Sequence, residues 1–202
     1  MPISFKQTSM TFHLYNRELS YIIKILPEGI PVQLYFGAAL PDRDNWDYLL
    51  EFAARPMSVN YSLDRTDMSL EHLRLEYPMS LSGDMRNGAA DIRQKDGSRI
   101  AEFVYESHEI RDGKPSLEPL PACYVESADE ACTLDLRLWD EKIRSRLVLS
   151  YTIYENRPVI CRNARIENLG SEGYILDRMM SLSLDLPDDD WEQMVLAGAW
   201  AR

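Results

Sequence analysis

The chain has 202 residues, 45% of them hydrophobic, three cysteines, and 22 basic against 33 acidic side chains for a formal charge of −11. That acidic surplus repels phosphate backbones and anionic lipid heads, which argues against nucleic acid and membrane as partners and leaves neutral ligands or other proteins. The apolar share is enough for a core without disulfides or metal, and the length fits a single β-rich domain over residues 1–202.

No run of about 18 apolar residues occurs, and Met1-Pro2-Ile3-Ser4-Phe5-Lys6 lacks the basic-then-apolar order of a secretory leader. The expected location is therefore the cytoplasm. Cys123, Cys132 and Cys161 have no CxxC spacing, so they read as reduced, mostly buried thiols rather than a disulfide frame or a zinc site.

In chain order, Phe12-His13-Leu14-Tyr15, Tyr21-Ile22-Ile23-Lys24-Ile25 and Val32-Gln33-Leu34-Tyr35-Phe36-Gly37 are rich in β-branched and aromatic residues and are separated by turns. They predict an antiparallel meander. From Ala38 to Gly88 the pattern is lost among Pro41, Pro56, Pro78 and charged patches. A stretch of about fifty residues is too long for a bare connection, so a functional excursion is expected, with short helical turns at Asp47–Ala54 and Ser69–Leu73.

Strands return at Ala90–Gln94 and Ile100–Tyr105, around the hairpin signal Asp96-Gly97, and Asp112-Gly113 marks another turn. Thr133-Leu134-Asp135-Leu136-Arg137-Leu138-Trp139-Asp140 alternates leucines with polar residues, the mark of a strand with one wet face. Further strands are predicted at Arg146–Tyr154, Val159–Ile166 and Ile175–Leu182. More than eight short strands and almost no helix indicate an all-β fold, a large antiparallel β-sandwich with a few short helices.

Catalytic signatures are scarce. There is no glycine-rich phosphate loop and no G-x-S-x-G elbow, and His13, His72 and His108 are scattered, which favours packing or surface roles over metal ligation. Asp188-Asp189-Asp190 could suggest a glycosidase carboxylate pair, but three adjacent acids after Pro187 read first as a solvated loop. Sugar rings are recognised by stacking on aromatics beside polar groups, which brings forward Asn45-Trp46-Asp47-Tyr48 and Gly198-Ala199-Trp200. The plainer reading is that Trp46 and Trp200 plug the core.

The order of motifs says more than any one of them. Tyr35-Phe36-Gly37, Glu76-Tyr77-Pro78, Gly83-Asp84-Met85-Arg86, Gly113-Lys114-Pro115, Leu120-Pro121-Ala122, Tyr124-Val125-Glu126, Leu184-Asp185-Leu186-Pro187 and Gly198-Ala199-Trp200-Ala201-Arg202 follow in a line over nearly the whole chain. The series resembles the N-terminal domain of bacterial α-galactosidases of glycoside hydrolase family 36.

That resemblance implies a β-supersandwich ahead of a (β/α)8 catalytic barrel, with this chain cut inside the Gly-Ala-Trp motif. It implies a retaining hydrolase for terminal α-linked galactose of melibiose- or raffinose-type oligosaccharides, with no cofactor and no metal. The family's nucleophile lies in a Lys-Trp-Asp context and its acid/base in a Ser-Asp-Asp context, both in the barrel. Neither tripeptide occurs here, so no catalytic residue is expected in this chain, which alone should be inactive. The implied partners are the galactosyl substrate, the protein's own barrel and neighbouring subunits of a homotetramer. The surface meant for the barrel should be apolar and exposed.

For substrate binding, the resemblance places Trp200 at the galactose pocket, with an acidic residue from the segment after Tyr-Phe-Gly. The family's usual Asp-Arg before a Phe-Ser pair is not kept here, so the acid falls first on Asp47 and second on Asp44, beside Trp46. Asp84-Met85-Arg86 also departs from the family's Asp-Phe-Arg. The alternative is a stand-alone carbohydrate-binding or subunit-interaction β-sandwich module.

Overall fold

The computed structural model describes residues 2–51, 59–119, 122–195 and 197–198. Strands β1 (Ile3–Lys6), β2 (Thr11–Tyr15), β3 (Leu19–Ile25) and β4 (Pro31–Ala38) form an antiparallel sheet in chain order. The strand β5 (Ala90–Arg93) follows the excursion. Then β6 (Val104–Asp112), β7 (Ala131–Asp140), β8 (Ser145–Tyr154) and β9 (Ile160–Asn168) form a second four-stranded antiparallel sheet. The last strand, β10 (Ile175–Met179), pairs antiparallel with β5. The all-β sandwich expected from the strand spacing is present.

Alternation builds the core. In β7, Cys132, Leu134, Leu136 and Leu138 point inward, and the register sets Leu134 opposite Tyr151, Leu136 opposite Leu149 and Leu138 opposite Leu147. The first sheet contributes Phe12, Leu14, Tyr21, Ile23 and Ile25 to the same cluster. Each such burial is worth about 1.5–3 kcal/mol, and a one-residue slip would turn the whole set to the wrong face.

One ion pair sits inside this core. Glu76 is 1% exposed, and its carboxylate meets Arg162 Nη1 at 2.9 Å while accepting hydrogen bonds from the hydroxyls of Tyr21 (2.8 Å) and Tyr151 (2.6 Å). Arg162 also donates to the Glu76 carbonyl at 2.7 Å and lies over the Tyr151 ring. Burial and the Glu76 charge push the Tyr21 phenol far up, and burial does the same to Tyr151. Both hydroxyls therefore stay protonated donors.

The excursion covers the other face of the first sheet. Ile22, Leu26, Val32 and Leu34 pack there against Trp46, Met68, Leu70, Leu73 and Leu75. Among its described residues the helical content is two single 3-10 turns, Asp47–Leu49 and Leu70–His72; the predicted helical residues 52–54 lie outside the described residues.

Three expectations are corrected. β1 was not foreseen, because four residues with only two apolar positions carry too weak a pattern. The Asp96-Gly97 turn forms, with Gly97 at φ +87°, but β5 pairs with β10 instead of residues 100–105. Ala101 and Phe103 drop into the core, the Glu102 N–H donates to the Asp140 carboxylate at 2.6 Å, and sheet pairing starts only at Val104. The cysteines are free, but they are not mostly buried: Cys132 is, Cys161 is half-buried and Cys123 is exposed.

Candidate functional site

Period-2 alternation gives β3 two different faces. Tyr21, Ile23 and Ile25 enter the main core, while Ser20, Ile22 and Lys24 face the excursion. The polar members of that second face fasten residues 42–47. His13, from β2, lies directly opposite Ile22 and shares the face.

Asp42 is the first anchor. Its carboxylate accepts from Lys6 Nζ at 2.8 Å, His13 Nδ1 at 3.0 Å and Ser4 Oγ at 3.1 Å. Burial alone would raise this carboxyl, but the bonds from Lys6, His13 and Ser4 outweigh it and hold it below its ordinary value. The Leu40 N–H donates to Ser20 Oγ at 2.9 Å, and Ser20 Oγ lies 2.9 Å from His13 Nε2. Ser20 therefore gives its proton to Nε2, and Nδ1 carries the hydrogen donated to Asp42. Burial keeps the His13 pKa low despite the neighbouring acid, in keeping with this neutral tautomer.

Asp47 is the second anchor. It opens the 3-10 turn, its N–H donates to Asn45 Oδ1 at 2.6 Å, and its carboxylate meets Lys24 Nζ at 2.5 Å. Lys24 is nearly buried and also donates to the Ser9 carbonyl at 2.8 Å, so its charge is fixed in place. Asp47 keeps about half its side-chain surface, at 48%. It lines an open cleft of about 660 Å³ with Asn45, Lys24, Arg65, Ser9 and Tyr105. That cleft offers a carboxylate, an amide, hydroxyls and two cations within one concavity.

Asp44 differs. Its side chain is 94% exposed and 3.5 Å from Lys6, and its backbone carbonyl, which accepts from Ser9 Oγ at 2.9 Å, is what tethers the segment. Trp46 is only 1% exposed, edge-on to His13 with Arg43 over its ring, so its ring fills the second core as the plainer sequence reading had it. Trp200 lies outside the described residues. The structure thus brings Asp44, Trp46 and Asp47 onto one short segment and separates an exposed acid, a buried ring and a half-exposed acid.

Asp188, Asp189 and Asp190 lie in an exposed loop and, among the described residues, bond only within that loop, the solvated reading of that cluster. No group of three or more His, Cys, Asp or Glu side chains able to hold a metal occurs among the described residues. Sequence reasoning missed Asp42, whose Asp-Arg-Asp context looked like a charged patch. Its signal was the buried polar face of β2 and β3, where His13, Ser20 and Lys24 alternate with apolar residues and require partners.

The fold has counterparts among known proteins. A family model described as the glycosyl hydrolase family 36 N-terminal domain matches residues 29–202. The α-galactosidase Mel36A of Lactobacillus acidophilus is 37% identical over 99% of this chain and 27% of its own length. The crystal structure of the family 36 α-galactosidase AgaB from Geobacillus stearothermophilus superposes with a TM-score of 0.85 at 35% identity, covering 93% of this chain and 25% of that one. A variant of AgaA from the same organism, solved in complex with raffinose, gives 0.83 at 36% identity over 88% of this chain and 24% of its own.

The chain belongs to the glycosyl hydrolase family 36 N-terminal domain family. It spans about a quarter of the length of the relatives it matches.

Proposed function

We infer that this chain is the N-terminal β-supersandwich of a cytoplasmic retaining α-galactosidase that releases terminal α-linked galactose from melibiose- and raffinose-type oligosaccharides. The observation that carries this reading is the match of nearly the whole chain, at 35–37% identity, to the start of bacterial α-galactosidases. The hydrolytic carboxylates would come from the barrel, within Lys-Trp-Asp and Ser-Asp-Asp contexts absent from these 202 residues. This domain's work is then to shape the edge of the galactose pocket and to hold subunits together in a homotetramer.

In this reading Trp200 stacks on the sugar and donates its indole N–H, and an acid of residues 44–47 accepts from sugar hydroxyls. The half-exposed carboxylate held by Lys24 at 2.5 Å favours Asp47 over the 94%-exposed Asp44, whose contact with Lys6 is longer at 3.5 Å, because a fixed acceptor loses less entropy on binding. Trp46 supports the segment from below by filling the second core. The exposed apolar residues Ile175, Leu176, Met179, Met180 and Leu182 fit a surface that the barrel covers.

The test is kinetic. The longer protein carrying this chain should hydrolyse raffinose while residues 1–202 alone do not, and Trp200→Ala in the longer protein should lower kcat/KM. Absence of galactose release by the longer protein, or unchanged kinetics in Trp200→Ala, overturns the assignment.

A further inference from the structure

Two thiols far apart in the chain meet on the outer side of the second sheet. Cys161 lies directly opposite Thr152 on the face away from the core, near the start of the edge strand β9. Cys123 comes from the segment between β6 and β7, and its Sγ lies 2.9 Å from that of Cys161. The third cysteine cannot join them, because Cys132 points into the core from the other face of the same sheet.

We propose that Cys123 and Cys161 form a reversible dithiol–disulfide pair that is closed by exchange with a small-molecule disulfide. The side chains already face each other, so closing from contact to the roughly 2.05 Å of an S–S bond needs only a small side-chain adjustment. Access is also provided. Cys123 is exposed and lines an open cleft of about 590 Å³ with Tyr124, Tyr154, Asn156 and Arg157.

The surroundings give the two sulfurs different roles. The hydrogen bond from Cys161, then one from Tyr154 and the charge of Lys114, lower the Cys123 pKa against the effect of burial. Burial first, and then the neighbouring Cys123, push the Cys161 thiol up to about 11. Cys123 is therefore the attacking thiolate and Cys161 the resolving thiol.

The chemistry balances. Cys123 thiolate attacks one sulfur of the small disulfide, forming a mixed disulfide and expelling one thiolate, which takes up a proton. Cys161 then loses its proton and attacks Cys123 Sγ, forming the protein disulfide and expelling the second small thiol. Two electrons and two protons pass from the protein dithiol to the small disulfide, giving two small thiols. In a reducing compartment the pair rests open and closes when the thiol pool is oxidised. The bond would tie the β6–β7 link to the start of β9.

The experiment exposes the protein to oxidised glutathione, blocks free thiols with an alkylating agent in denaturant, and maps the peptides without reductant. The expected result is one linked species joining the Cys123 and Cys161 peptides, reversed by dithiothreitol, with Cys132 alkylated throughout. Cys161→Ser should stop at a glutathionyl adduct on Cys123, and Cys123→Ser should leave Cys161 free over the same period. Closing should also raise the melting midpoint by roughly 5–10 °C in the wild type and not in either variant. Recovery of both cysteines as free thiols, a linkage to Cys132 or between two chains, or a stable glutathionyl adduct in the wild type overturns the proposal.

Discussion

The outer faces of the two four-stranded sheets differ, although their inner faces share one core. Behind β6–β9 the outward residues satisfy one another: Thr133 and Thr152 hydroxyls lie 2.8 Å apart, Ser150 donates to Asp135 at 2.5 Å, and Arg111 pairs with Asp135 at 2.6 Å. Most of that face is a hydrogen-bonded ladder within the sheet, joined by the β6–β7 link at Gly113, whose carbonyl accepts from Thr133 at 2.7 Å, and at Cys123, which meets Cys161. Behind β1–β4, His13 bonds to Ser20 and Lys24 to the Ser9 carbonyl, but each of the three also takes a partner from the excursion, at Asp42, Leu40 and Asp47. A sheet face with unsatisfied polar groups fixes the loop that covers it, and here that loop carries the acids assigned to the sugar.

The largest effect is expected where neither outer face is involved. Glu76→Gln removes the charge partner of Arg162 inside the shared core and should cost about 3–5 kcal/mol in denaturant unfolding. A loss below about 1 kcal/mol would mean that the pair is not closed in the folded protein.

Next comes a test of the two cores against each other. Leu136→Ala, fully buried between the sheets, should cost toward the upper end of about 2–5 kcal/mol, while Leu70→Ala, at the margin of the second cluster, should fall toward the lower end. Equal losses would erase the distinction between the shared core and the covered face.

The anchored loop should also respond to mild acid. His13 is held neutral by burial, so its folded pKa lies below the ordinary 6.5. Its contribution is complete above the unfolded value and is lost as the pH falls below about 6.5 toward the folded one, since the unfolded chain takes up the proton first. The melting midpoint should therefore drop more between pH 7 and pH 5 in the wild type than in His13→Gln. Parallel pH profiles would show that His13 does not titrate on unfolding. The smallest effect is expected at the exposed pair Lys95–Glu172: Lys95→Ala should leave the melting midpoint unmoved.

Much of this architecture was legible in the chain. The leucine alternation of 133–140 and the aromatic and β-branched runs of 12–37 placed both large sheets. The pairing of β5 was not legible, because a turn signal such as Asp96-Gly97 specifies a reversal and not the partner beyond it. The contact of Cys123 with Cys161 was equally hidden, since it joins an irregular link to a strand edge across 38 positions. At the candidate site, Asp44 and Asp47 were both within reach of sequence reasoning, but their difference rests on Lys24. A lysine near the end of a buried, largely apolar strand was the signal that a partner carboxylate had to arrive from elsewhere.

The central claim is that the face behind β1–β4 presents Asp47, and not Asp44, to a galactosyl substrate. It is tested most directly by raffinose hydrolysis kinetics of Asp47→Asn and Asp44→Asn in the longer protein, with the melting midpoint recorded alongside. The account predicts a kcat/KM lowered by about tenfold or more in Asp47→Asn, carried by KM, and an unchanged value in Asp44→Asn. Wild-type kinetics in Asp47→Asn, or a loss confined to Asp44→Asn, would contradict it.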